Sequence, residues 1–271
     1  MKKMIYQKFL SQTLKHGAKI AIEMFGKTSS KIKDSDPNQI LTEADLAIGK
    51  FIVNEVKKNY PSYNIIDEEA GVVDKKSLYT WVIDPIDGTA NFAVGVPTYG
   101  IMIGLLKDHH PFAGGVVLPY FNMIYIAEKE KGTFLNGKKS VVDRERSLNE
   151  SLVAYQGPDK NPSDPEITRK EGVYISSIAA RCLLVRNSGS VFDTAMLAKS
   201  GYSGVLSQNC KIWDNVAQHV IVEEAGGIYT DFFGKTMDYS TGLTMPDLNY
   251  TYCAASPKVH KQLQEIIHSI K

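Results

Sequence analysis

The chain is poor in cysteine: Cys182, Cys210 and Cys253 lie far apart, with no Cys-x-x-Cys pair. That set argues against a disulfide framework or a thiolate zinc site and makes a reducing cytoplasm the expected compartment. No apolar run approaches the roughly 20 residues that a membrane-spanning helix needs. The first ten residues are basic and polar, without the apolar stretch of a signal peptide, so no leader is expected. Charge of one sign is missing as well: 31 Lys and Arg stand against 30 Asp and Glu, a formal +1. Electrostatics thus gives no case for a nucleic-acid polymer or an anionic membrane as partner. The six histidines show no zinc spacing, and no serine or cysteine sits in a paired nucleophile motif, which argues against covalent catalysis. There is no internal repeat and no low-complexity tract.

What remains is an ordinary globular composition, 43% hydrophobic and 23% charged over 271 residues, enough for one large core or two joined subdomains. Apolar residues at helical spacing predict a first helix over about 4–26. Residues 27–38 are polar and read as a loop. Thr42 is a good N-cap for a second helix ending near Asn59, before Pro61. A short strand is expected at 63–66. The runs 101–106, 115–118 and 123–127 read as an antiparallel meander, with Asn136-Gly137 a strong turn. Residues 159–171 read as an exposed loop and 173–177 as a strand. Helices are expected at about 190–200, after Asp214 to about 225, and at 258–270, with strands at 204–207, 228–230 and 252–255. The mixture points to a layered α/β or α+β fold.

One segment carries more chemistry than the rest: Trp81-Val82-Ile83-Asp84-Pro85-Ile86-Asp87-Gly88-Thr89-Ala90-Asn91-Phe92. An apolar strand runs into a carboxylate, and Pro85 is expected to end the ladder there because it has no N–H. Asp87 follows, then a Gly-Thr turn. Carboxylates hold hard divalent cations, and free backbone N–H groups hold phosphate. Further acids stand where elements begin or turn: Asp45, Glu68 and Asp214. Each has a plain reading, as first-turn helix acid, loop charge or N-cap.

Taken with these acids, the segment resembles the signature of the inositol monophosphatase family, the Mg²⁺-dependent, lithium-sensitive sugar phosphatases. The second signature is matched by Trp213-Asp214 and Glu224-Ala225-Gly226-Gly227. Leu41-Thr42-Glu43-Ala44-Asp45, Ile66-Asp67-Glu68-Glu69 and Lys131-Gly132-Thr133-Phe134-Leu135-Asn136-Gly137 match in family order. The resemblance covers most of the chain. It implies a layered α-β-α-β-α sandwich, with residues 1–140 carrying most metal ligands and 141–271 carrying Asp214 and the substrate pocket. It also implies a homodimer.

The resemblance further implies two to three Mg²⁺ ions. Glu68, Asp84 and the Ile86 carbonyl would hold the first; Asp84, Asp87 and Asp214 the second. Phosphate would lie on the Gly88 and Thr89 N–H groups, and a metal-activated water would attack it. Thr89 with Asp45 behind it, or else Glu68, would accept the proton. Gly189, Ser190, Val191, Ser207 and Asp214 would line the substrate pocket. The expected substrate is a small polyol or sugar phosphate, first myo-inositol monophosphate. Histidinol phosphate, fructose 1,6-bisphosphate and 3′-phosphoadenosine 5′-phosphate are substrates of relatives, and a non-catalytic regulatory homologue is the competing class.

The departures fall in the substrate pocket. Inositol-specific relatives carry an acid shortly before the Trp-Asp pair; here Ser207 falls at that place and Lys211 follows. Serine loses the charge-assisted bond to a hydroxyl, and Lys211 tolerates extra negative charge on the substrate. Asp67 stands where a glycine is usual and is expected to cap a turn. Asp193 is expected to be an exposed first-turn helix acid. Arg181 and Arg186 read as solvated.

Overall fold

A computed structural model describes residues 4–27, 30–33, 36–157 and 165–270. In chain order its first half runs α1 (Gln7–Met24), β1 (Ser30–Lys33), β2 (Asp36–Thr42), α2 (Glu43–Asn59), β3 (Asn64–Asp67), β4 (Gly71–Val73) and β5 (Tyr79–Asp87). Next come α3 (Thr89–Ala93), β6 (Gly100–Lys107), β7 (His110–Leu118), β8 (Met123–Glu128), β9 (Gly132–Leu135) and β10 (Lys138–Ser140). The second half has β11 (Leu152–Gln156), α4 (Pro165–Ala179), β12 (Leu184–Arg186), α5 (Phe192–Ala198), β13 (Gly204–Cys210) and α6 (Ile212–Glu224). It closes with β14 (Ile228–Thr230), β15 (Tyr250–Ala255) and α7 (Pro257–Ser269).

Eight strands form one sheet in the order β10-β9-β8-β7-β6-β5-β3-β4, and five form another in the order β12-β11-β13-β15-β14. Side-chain alternation assigns the layers. In β5 and β6, Trp81, Ile83, Ile101, Ile103 and Leu105 face a core shared with α1 and α2. Their neighbours Val82, Met102 and Leu106 face the opposite core, shared with Val216 and Val220 of α6 and Tyr252 and Ala254 of β15. The far face of the five-stranded sheet, with Val153, Leu206 and Cys253, packs on Tyr174 and Ile178 of α4 and Val259 and Leu263 of α7. The layers are therefore α-β-α-β-α, as the resemblance implied.

Two glycines let α6 lie close on the eight-stranded sheet. Gly104 and Gly114 face each other across β6 and β7. A Cβ on Gly104 would come 2.7 Å from Val216 Cγ1 and 2.8 Å from the Ala217 nitrogen; one on Gly114 would come 2.6 Å from Val220 Cγ1. Side chains there would hold the helix off.

Several sequence expectations change. Residues 165–171 are not loop and 173–177 are not strand, since both belong to α4. The β-branched run reads as strand only in isolation. Glu171, Tyr174 and Ile178 are buried at helical spacing, and Pro165 takes the first helical position, where no N–H is needed. The rest of the expected loop, 159–164, lies outside the described residues. Within 27–38, β1 and β2 pair antiparallel, with Ile32 opposite Ile40. β5 does not stop at Pro85; it continues to Asp87 across an irregularity between Asp84 and Asp87.

Candidate active site

Strand parity puts Asp84 on the same face as Val82, under α6. Its side chain is 1% exposed. The irregularity that follows turns Asp87 toward the same side, and α6 delivers Asp214 from its first turn. Carboxylate oxygens of Asp84, Asp87 and Asp214 all lie within 4.8 Å of one another. With Glu68, Ile86, Gly88, Thr89, Ala90, Gly189 and Trp213 they line a cleft of about 200 Å³. A larger groove of about 540 Å³ between α1 and α2 brings no such set of acids together.

Burial, then repulsion from Glu68, Asp87 and Asp214, pushes the Asp84 carboxyl well above the usual carboxylate range. Burial and the charge of Asp214 do the same to Asp87, against the lowering effect of the Val191 N–H. Asp84 Oδ1 is buried without a hydrogen-bond partner among the described residues. An unpaired carboxylate oxygen amid converging acids costs free energy unless a cation joins it. Oxygen donors alone, at this spacing, suit a hard divalent ion such as Mg²⁺. The residues present therefore fit the ion that the resemblance implies.

Asp45 is the third residue of α2, where it completes a capping box. The Thr42 N–H and hydroxyl donate to Asp45 Oδ2 at 2.9 and 2.5 Å. Its other oxygen, Oδ1, accepts the Thr89 hydroxyl at 3.2 Å, and the same hydroxyl lies 2.7 Å from the Ile86 carbonyl. Burial pushes the Asp45 carboxyl up to about 6, with the Thr42 and Thr89 bonds working in the opposite direction. A carboxyl poised there can take up or release a proton near neutral pH. Gly88 has φ of +85°, which a glycine adopts at no steric cost, and a Cβ would come 2.7 Å from Ser190 Cβ. Gly88 thus serves both the turn and the close approach of a second turn, residues 188–191.

Bonds with Asp87, Asn91 and Thr98 hold that second turn in place, and Asn91 is itself fixed on Thr98. The Asn91 amide donates to the Thr98 carbonyl at 2.8 Å and to the Ser188 carbonyl at 2.6 Å. The Ser190 hydroxyl donates to the Thr98 carbonyl at 2.9 Å. The Val191 N–H donates to Asp87 Oδ2. Gly189 alone of the turn lines the cleft, and the buried Ser190 and Val191 brace it instead. Ser207 is buried, its hydroxyl directed to the Asn209 carbonyl at 3.2 Å, and is not among the cleft-lining residues. Asp67 caps a turn as expected, its Oδ1 accepting the Glu69 and Ala70 N–H groups at 3.1 and 2.6 Å.

Asp193 departs from expectation: it is fully buried, not exposed. The turn before α5 folds back so that Asp193 Oδ2 accepts the Ser188 N–H at 3.2 Å. Asn91 stands in the Trp81–Phe92 segment, and its letter there gave no sign of the role it takes. Asp214 is also more than an N-cap; it is the third residue of α6 and accepts the Lys211 N–H at 2.6 Å.

The sequence pattern of the inositol monophosphatase family matches residues 3–271. The chain belongs to this family. A fructose-1,6-bisphosphatase/inositol-1-monophosphatase of Aquifex aeolicus is 31% identical over 79% of this chain and 81% of its own length. A putative Nus factor SuhB of Neisseria meningitidis is 32% identical over 85% of each chain. The solved structure of a Thermotoga maritima IMPase superposes with a TM-score of 0.86 at 26% identity, covering 98% of both chains. As an inositol monophosphatase family member the protein is a Mg²⁺-dependent phosphatase, a phosphoric monoester hydrolase with the layered α/β sandwich of its relatives. No described helix is long and apolar enough to cross a membrane.

Proposed function

We propose that the protein hydrolyses the phosphomonoester of a small polyol or sugar, with myo-inositol monophosphate the first candidate. The convergence of Asp84, Asp87 and Asp214 beside the Gly88-Thr89 turn carries this reading. Glu68, Asp84 and the Ile86 carbonyl would hold one Mg²⁺, Asp84, Asp87 and Asp214 another, with a third weaker ion near Glu68. When bound, Mg²⁺ supplies charge neutralisation of the phosphate and acidification of an attacking water.

The chain's own groups do the rest. The Gly88 and Thr89 N–H groups stand at a helix start, where the first amides lack partners within the helix, and would bind the phosphate oxygens. Thr89 shares its one proton between Asp45 Oδ1 and the Ile86 carbonyl. A proton arriving at Thr89 Oγ1 can pass to Asp45, whose raised pKa of about 6 favours its uptake; Glu68 at the cleft wall is the competing acceptor. Gly189 and Trp213, which line the cleft, would face the substrate. Because the Ser207 hydroxyl bonds within its own strand end, recognition of the substrate's far side would fall to groups other than a carboxylate there.

The reading extends to a functional division near residue 140, a cytoplasmic location, a homodimeric state and inhibition by Li⁺ and excess Mg²⁺. Phosphate release from a panel of small monoesters, with and without Mg²⁺, tests it. Turnover of inositol monophosphate above the sugar bisphosphates is expected. Absence of turnover with every ester would sink the enzyme reading.

A further inference from the structure

Asp193 is a buried carboxylate that the proposed chemistry does not use. Its side chain has 0% exposure, its Oδ1 finds no partner among the described residues, and its Oδ2 accepts only at 3.2 Å from Ser188 N–H and 3.4 Å from Gln156 Nε2. A buried acid so thinly satisfied costs stability that an apolar residue would not. Its position relative to the 188–191 turn accounts for its presence.

Behind that turn, Gln156 Nε2 also donates to the Ser190 carbonyl at 2.7 Å, and Gln156 is itself fixed by the Tyr252 hydroxyl at 2.8 Å. The Asp193 N–H donates to the Ser190 carbonyl at 3.1 Å. In front, Asn91 holds the Ser188 carbonyl. The turn is thus gripped at Ser188 and Ser190 from both sides, and its next residue, Val191, places an N–H on Asp87.

We propose that Asp193 is a positioning residue for the metal centre: it fixes the 188–191 turn so that the Val191 N–H orients the Asp87 carboxylate. The proposal rests on the reading of Asp87 as a metal ligand. A ligating carboxylate needs its non-ligating lone pairs held to keep one rotamer, and losing such outer partners weakens metal binding. Asn91 does the same work from the opposite side.

Amide hydrogen exchange at Val191 in the metal-free protein, Mg²⁺ binding by calorimetry and the kcat–KM split test this in D193A, D193N and N91A. D193A and N91A should speed Val191 exchange and weaken Mg²⁺ binding, each by about 10-fold, with KM for the ester little changed. D193N keeps an acceptor oxygen toward Ser188 and should restore both. Wild-type exchange and Mg²⁺ affinity in folded D193A and N91A would overturn the proposal. Equal losses in D193N and D193A would overturn it too. If D193A does not fold, D193L, which fills the same buried space without an acceptor oxygen, decides in its place and should show the same two losses. Failure of the wild-type protein to bind Mg²⁺ would instead sink the metal-site reading, and Val191 exchange without metal would still judge Asp193.

Discussion

Replacing Gly104 by alanine adds one methyl group on the face of β6 under α6. That methyl would sit 2.7 Å from Val216 Cγ1, 2.9 Å from Val216 Cβ and 2.8 Å from the Ala217 nitrogen. Carbon contacts settle near 3.5–4.0 Å, so the overlap approaches ~1 Å. One of the opposing atoms is helix backbone, which cannot swing aside as a side-chain tip does. The helix must lift, and Asp214 lies one turn or less from the point of contact. Overpacking of this kind costs about 1–3 kcal/mol, which for a chain of this size lowers Tm by roughly 2–5 °C. Metal distances tolerate only ~0.2 Å, and a misplacement near 1 Å costs on the order of 100-fold in rate. G104A should therefore lose Mg²⁺ affinity and kcat/KM while remaining folded. Thermal unfolding with and without Mg²⁺, together with turnover across a Mg²⁺ titration, reads both effects. Wild-type Tm and Mg²⁺ response would refute the seating of α6 against Gly104 and the transmission of its shift to Asp214.

Asp84→Asn and Asp87→Asn should each reduce turnover to background while leaving the metal-free protein as stable or more so, because carboxylate repulsion is relieved. Asp84 has a pKa raised above its ordinary 3.8. Its contribution to metal-free stability is thus present below pH 3.8 and lost as pH rises toward the folded value. Denaturant midpoints across that range should fall less steeply in D84N than in wild type. Burial lowers the His260 pKa below its ordinary 6.5, so its contribution is present above pH 6.5 and lost as pH falls through the lower folded value. H260Q should flatten that part of the profile in chemical denaturation between pH 7.5 and 5.5. Gly172 lies exposed in α4, and a Cβ there would meet nothing within 4 Å; G172A should stabilise by about 0.5–1 kcal/mol, read as a rise in Tm.

Local signals made much of this legible in the sequence. Thr42 marked the start of α2, Asn136-Gly137 marked the turn between β9 and β10 with both residues at positive φ, and Asp84, Asp87 and Asp214, singled out by their motifs, lie together. What escaped had its cause at a distance. The run around Val173–Ile175 has strand-like residues, yet Tyr174 and Ile178 bury together only because a sheet lies beneath them. Asp193 looks like a helix-start acid until the 188–191 turn folds over it. Ser207 aligns with a substrate-binding position, but its hydroxyl is taken by Asn209 two residues on. Asn91 was visible as a letter in a motif; its partner Ser188 lies 97 residues away.

The placement of Asp214 on a helix from the second half also bears on the order in which the chain is made. Asp84 and Asp87 leave the ribosome about 130 residues ahead of Asp214, which at roughly 5–20 residues per second is many seconds. During that interval α6 is absent, and the face of β5 and β6 that it will cover stands open to water. The nascent chain therefore holds two neighbouring acids and an unsealed apolar sheet face, with neither the helix nor the completed ion site to settle them. Catalytic competence is a late event in the life of each molecule, and a stalled or truncated chain ending before Asp214 would be both inactive and prone to associate through that bare sheet.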